Sequence, residues 1–139
     1  MTEEKIKYEN LTTGFSFTPS TFKMDAETAA LYLKATDDHN PEYEGKLVPP
    51  MAIAALAMKS MAEKFDLLPG TVHVSQQLEF LNTASIDETL TSYASVARKV
   101  ARGKFHMLTI GIKVLNQQQE TVITGEIGFI LPLNQGALP

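Results

Sequence analysis

Cysteine is absent from the 139 residues, and so is tryptophan. Without thiols the chain has no disulfide, no thiolate metal ligand and no cysteine nucleophile, which fits a reducing compartment. A large excess of one charge is missing too. Twelve basic residues face sixteen acidic ones for a net charge of −4, a poor background for holding a phosphate backbone, so no nucleic-acid partner is expected. The longest apolar run, Leu47 to Met58, is too short to span a bilayer and reads as a buried helix, so no membrane partner is expected. The first residues carry Glu3, Glu4, Lys5 and Lys7 and lack the apolar stretch of a signal peptide, which makes the cytoplasm the expected location. Three histidines, His39, His73 and His106, show no ligand spacing, so neither a metal site nor a cofactor is expected.

What is present is an ordinary globular balance of 44% hydrophobic and 20% charged residues, enough for a core without staples. No linker, repeat or low-complexity tract divides the chain, so residues 1–139 read as one domain with a core over about 11–132. Asp25 reads as the N-cap of a first helix over 25–36, where Ala26, Ala29, Ala30 and Leu33 recur at helical spacing before Asp37-Asp38-His39-Asn40-Pro41 stops it. A second helix opens at Pro49-Pro50, where a missing N–H costs nothing, and runs to about Phe65. It is apolar on nearly every face, as a helix buried all round would be.

From Thr71 the period changes to two. Val72, Val74, Leu78 and Phe80 alternate with His73, Ser75, Gln77 and Glu79, the pattern of a half-buried strand. Further strands are predicted over Thr89–Arg98, Phe105–Leu115 and Thr121–Leu131, with a turn at Ala101-Arg102-Gly103 and a short edge strand near Phe15–Phe22. Short connections favour an antiparallel meander. The predicted architecture is α+β, an antiparallel sheet wrapped around one long buried central helix. One sheet layer leaves part of that helix uncovered, so a second copy or partner chain is expected.

The densest chemical signal is Asp37-Asp38-His39-Asn40-Pro41-Glu42-Tyr43 followed by Leu47-Val48-Pro49-Pro50-Met51. Taken alone, the first of these also reads as a polar helix stop. With the downstream segments Leu78-Glu79-Phe80, Asp87-Glu88-Thr89-Leu90 and Val114-Leu115-Asn116-Gln117 in order, the chain resembles the MaoC-like members of the hot-dog fold. These include (R)-specific enoyl-CoA hydratases and 3-hydroxyacyl dehydratases. Asp38, Asn40 and Pro41 match the family's aspartate, asparagine and proline. The resemblance implies an acyl-CoA or acyl-carrier-protein thioester as ligand, and a homodimer or a heterodimer with a second hot-dog subunit.

Hydration of an enoyl thioester needs a base for water, a proton for the α-carbon and a donor for an enolate-like oxygen. The resemblance assigns the base to Asp38. At the family's histidine position stands Tyr43, a phenol with a reference pKa of about 10 and so a poor two-way proton carrier. At the helix start, where active members carry His-Gly, stand Pro49 and Pro50, which have no N–H to give. Met51 N–H is the nearest substitute, and His39 is the candidate to replace the missing histidine. Glu44-Gly45-Lys46 replaces a longer loop. The pattern is closest to the dehydratase-like halves that shape an acyl pocket without holding the active pair. Asp38, Tyr43 and His39 are therefore the catalytic candidates, and Asn40, Pro49, Pro50 and Met51 the substrate-binding ones.

Other readings remain beside this one. An active hydratase would use Asp38 with Tyr43 or His39. A hot-dog thioesterase would want a carboxylate on the central helix, where only Glu63 stands. A non-enzymatic acyl-thioester sensor or structural subunit is the fourth. His73 is expected at a solvent or interface position and His106 as a satisfied core or interface residue. Met51, Met58 and Met61 read as core filler. Arg98, Lys99, Arg102 and Lys104 bracket a hairpin and read as a solvated turn or as a phosphate contact.

Overall fold

Alternating sequence becomes one antiparallel five-stranded sheet in a computed structural model of the chain, which describes residues 5–43, 46–66 and 68–132. The strands are β1 (Ser20–Phe22), β2 (Val72–Phe80), β3 (Leu90–Arg102), β4 (Phe105–Leu115) and β5 (Thr121–Pro132). Two α-helices, α1 (Ala26–Ala35) and α2 (Pro50–Ala62), precede all strands but β1. The sheet order is β1-β3-β4-β5-β2. Only β3, β4 and β5 therefore form the predicted meander. β2 is carried past them to pair with β5, from Val72 opposite Ile130 to Phe80 opposite Ile123.

The inner face of β4 is Leu108, Ile110, Ile112 and Val114, all buried, with Phe129, Ile127 and Ile123 of β5 opposite three of them. Ala52, Ile53, Ala54, Ala57 and Met61 of α2 join them in one core. Small alanine side chains let that helix lie close to its neighbours, as interior packing density requires. The Pro49-Pro50 start holds: α2 begins at Pro50. It ends at Ala62, short of Phe65, because Lys64 O and Asp66 N are taken by the backbone of Ile6 at 2.9 and 3.0 Å. Nor is it buried all round, since Met51 is 44% exposed and Ala55 is open as well.

Two β-bulges correct the predicted faces. In β3 the register shifts between Val96 and Arg98. Leu90, Ser92, Ala94 and Val96 share the inner face, and after the bulge Lys99 does, directly opposite Leu108. An extra residue in one strand reverses the parity beyond it. In β2 a shift between His73 and Ser75 puts His73 on the inner face, opposite Phe129, and Val72 on the outer one. The predicted half-buried strand is instead open except at Leu78, with Val72, Val74 and Phe80 each more than 40% exposed. It lies at the sheet edge and pairs on one side only. The β3–β4 turn is Gly103-Lys104, with the predicted turn residues Ala101 and Arg102 still in β3 and Gly103 in the left-handed region at φ +59°. The short edge strand is confined to Ser20–Phe22, with one further bridge between Ser16 and Ser95.

Candidate active site

Most of the site is placed by the ends of helices. Asp25 caps α1 by accepting the Thr28 N–H at 2.7 Å, and that hydrogen bond holds its carboxyl below the ordinary value. At the other end Asp37 N–H reaches Lys34 O at 3.2 Å and Asp38 N–H reaches Leu33 O at 2.9 Å, which closes the helix. Asp37 itself stands at φ +54°, a left-handed conformation that favours glycine and asparagine. The predicted helix stop is thus real, and it also orients the polar residues that follow.

Asp38 is half-buried and accepts the Asn40 N–H at 3.0 Å, an Asx turn. A 3-10 turn over Pro41–Tyr43 follows, with Tyr43 N–H on Asn40 O at 3.1 Å. Glu44 and Gly45 of the shortened loop lie outside the described residues. Beyond them Val48 N–H donates to Ala84 O, and Lys46 O accepts from Ile86 N–H, which ties the chain to the segment before β3 and aims Pro49-Pro50. Ala52 and Ile53 N–H both turn back to Pro49 O, at 3.0 and 3.4 Å. Met51 therefore carries the first amide hydrogen of α2, at the end where the helix dipole favours negative charge.

These segments meet around a cleft of about 550 Å³. Of the residues singled out in the sequence, Asp38, His39, Tyr43, Pro49, Pro50 and Met51 line it. Asn40 does not; its amide holds the Asp38 carboxylate instead. Sequence reasoning missed Asp37, Tyr32, Thr36 and Phe80, which line the same cleft. Tyr32 and Thr36 are four apart at the end of α1 and so share one face, a signal that was available. Phe80 arrives from the far end of β2, which no local pattern reveals.

A larger hollow, about 790 Å³, lies on the outer face of the sheet over Ser95 and Gly111. Its depth comes from small side chains at its floor. The smaller cleft is where ionisable groups and a helix start converge, and it is the better candidate site. Glu63 caps the opposite end of α2 and does not line the cleft. Among the described residues no group of three or more His, Asp or Glu is arranged to hold a metal ion, and no helix is long and apolar enough to cross a membrane.

The basic hairpin group divides. Lys99 points inward, donating to Tyr8 O at 2.9 Å and Leu11 O at 2.8 Å with its ammonium 4.1 Å from the Tyr8 ring centroid. Burial lowers its pKa, partly countered by Glu9. Burial also pushes Tyr8 up to about 12. His106 stacks on Tyr8 at 5.1 Å between centroids, and burial first, then the Lys99 charge, depresses its pKa. Against the expectation of a satisfied histidine, its Nδ1 is buried with no hydrogen-bond partner. His73 is exposed and reaches Ser75 O at 3.0 Å. Met61 is buried in the core and Met58 packs partly against it, but Met51 lines the cleft rather than filling the interior.

Solved structures share this architecture. The (R)-hydratase PhaJ1 from Pseudomonas aeruginosa aligns at TM-score 0.77 and 21% identity, over 92% of this chain and 86% of that one. The (R)-hydratase from A. caviae involved in PHA biosynthesis aligns at 0.75 and 18%, over 89% and 99%. The C-terminally truncated HadBC complex of Mycobacterium tuberculosis, a 3R-hydroxyacyl-ACP dehydratase, aligns at 0.70 and 15%, over 85% and 96%. No curated protein matches the sequence significantly. The model of the FAS1-like dehydratase domain region matches residues 12–125, nearly the whole of the described fold. The chain belongs to that family and has its α+β hot-dog fold.

Proposed function

We propose that the chain is a cytoplasmic, single-domain hot-dog subunit of the hydratase and dehydratase class that binds an acyl or enoyl thioester of coenzyme A or of a carrier protein. The observation that carries this is the convergence of Asp38, Tyr43 and the start of α2 on one cleft in a chain of the dehydratase family. The thioester carbonyl faces the amide of Met51, and the apolar chain runs along Tyr32 and Phe80. A helix start suits an oxygen that gains negative charge. Tyr43 leaves this site with a poorer proton carrier, and the two prolines with fewer oxyanion donors, than a hydratase of the MaoC type has, so turnover is slow.

The cleft is completed by a second hot-dog subunit. Three observations support this: β2 pairs on one side only, its Val72, Val74 and Phe80 are exposed, and Met51 at the cleft is 44% open. An unpaired edge strand with apolar side chains is a template for another strand. The HadBC dehydratase is itself a complex, and a homodimer or a heterodimer with a related subunit fits the edge equally.

Calorimetric titration with butyryl-coenzyme A, beside hydration of trans-2-butenoyl-coenzyme A, tests the reading. Binding with weak hydration is the expected result, and Asp38→Asn should weaken handling of the ligand while the melting temperature is kept. An unfolded Asp38→Asn variant with no thioester binding in the wild type would leave only the helix-stop role. A fast hydration rate that Asp38→Asn abolishes would make this a self-sufficient (R)-hydratase, a role open to Asp38 because only one of its oxygens holds the Asn40 amide.

A further inference from the structure

We infer that proton transfer in the cleft is carried by His39, held by Asp37, so that an acid–base pair stands beside the family's usual positions rather than on them. This rests on the thioester reading of the cleft. His39 Nε2 lies 2.8 Å from Asp37 Oδ1, and both residues line the cleft on either side of Asp38. The backbone at Asp37 has no need of a carboxylate. Its N–H is taken by Lys34 O, and at φ +54° glycine or asparagine would be the easier residue. Nor does the pair hold the fold together, since its side chains are 84% and 90% exposed and such pairs contribute little to stability. A hydrogen-bonded acid and imidazole that line the cleft and make no fold contact are left available for chemistry there.

The carboxylate also decides which nitrogen is free. A carboxylate only accepts, so the hydrogen sits on Nε2 and the lone pair on Nδ1. A base oriented by a third group is the arrangement found wherever imidazole moves protons. In the hydration direction Nδ1 takes a proton from water as the water oxygen bonds to C3 of the enoyl thioester. The C2=C3 electron pair moves toward C2 and the carbonyl oxygen, giving an enolate whose charge faces the Met51 amide. The imidazolium then returns the proton to C2 and the carbonyl re-forms. One water is added, and the ring ends neutral. Asp37 is the positioning residue; its charge faces the imidazolium only while that exists.

The experiment is a comparison of His39→Ala, Asp37→Gly and Asp37→Asn with the wild type. Readouts are hydration of trans-2-butenoyl-coenzyme A, calorimetric binding of butyryl-coenzyme A, melting temperature and the ¹⁵N imidazole spectrum of His39. His39→Ala is expected to lower kcat by about 100-fold or more, the usual contribution of a general base. Both Asp37 variants, which suit the left-handed backbone, should keep the melting temperature and KM while kcat falls about 10-fold. The spectrum should show an Nε2–H shifted by its hydrogen bond to the carboxylate in the wild type, and that shift should be lost in Asp37→Gly. Unchanged kcat in His39→Ala overturns the inference, and so does a wild type that binds butyryl-coenzyme A without hydrating the enoyl thioester; the thioester reading survives both. Failure of the wild type to bind any thioester overturns that reading and this inference together.

Discussion

The two ends of the sheet treat their polar side chains in opposite ways. At the β3–β4 hairpin, Lys99 is folded inward onto two carbonyls and an aromatic face, and Tyr8, His106 and Lys99 are all moved from their ordinary pKa by burial. At the cleft, Asp37 and His39 stand open to water and bond to each other in a turn. Perturbed ionisation is often used to find functional sites. Here the groups that burial perturbs belong to the part of the molecule that anchors the N-terminal segment, and the polar groups of the cleft are held by hydrogen bonds near helix ends without full burial. Burial and positioning are separate signals, and this chain divides them between its two ends.

That division can be broken by substitution. Lys99→Met keeps the aliphatic stem and removes the ammonium, leaving Leu11 O without that donor and Tyr8 O with only the Leu11 N–H. A loss of about 2–3 kcal/mol in chemical denaturation is expected, as for hydrogen bonds to a charged group, with thioester binding unchanged. Next is His106→Gln. Because the folded-state pKa of His106 lies below its unfolded value, the unfolded chain binds the extra proton first. Stability is then full above pH 6.5 and falls as pH drops through the depressed value. Urea midpoints measured from neutral to mildly acidic pH should fall less steeply in His106→Gln. The opposite limb belongs to Tyr8: its pKa is raised from 10.0 to about 12, so stability should be lost as pH rises through that window. Smallest of all is Asp37→Gly, whose midpoint should stay within about 0.5 kcal/mol of the wild type although its kcat falls. A drop in stability there matching the Lys99→Met loss would erase the distinction between the two ends.

Much of this arrangement is legible in sequence, and the rest fails for identifiable reasons. β4 is found to the residue because Leu108, Ile110, Ile112 and Val114 keep an unbroken period of two. Asp25 and the Pro49-Pro50 pair mark helix starts through local chemistry, so both helices begin where expected. The pairing of β2 with β5 depends on a crossover between distant segments, which no local pattern encodes. The inward turn of Lys99 and of His73 depends on bulges, and a bulge leaves the composition of a strand unchanged. At the site, Asp38, Tyr43 and Pro49 to Met51 were readable because a motif orders them. Asp37 was not, since its left-handed backbone and its bond to His39 exist only in three dimensions.

The β3 bulge has a consequence for how the chain tolerates change in length. Val96 lies opposite Ile110 and Arg98 opposite Thr109, so Ala97 is the residue the partner strand does not match. Deleting Ala97 would straighten the strand and leave each remaining side chain on the face it already occupies. Deleting a residue between Leu90 and Val96 with the bulge kept would instead send the segment on one side of the gap through the sheet, exchanging its core residues for its outer ones. A strand that looks uniform thus has one position where its length is adjustable, and the neighbouring positions are fixed by it.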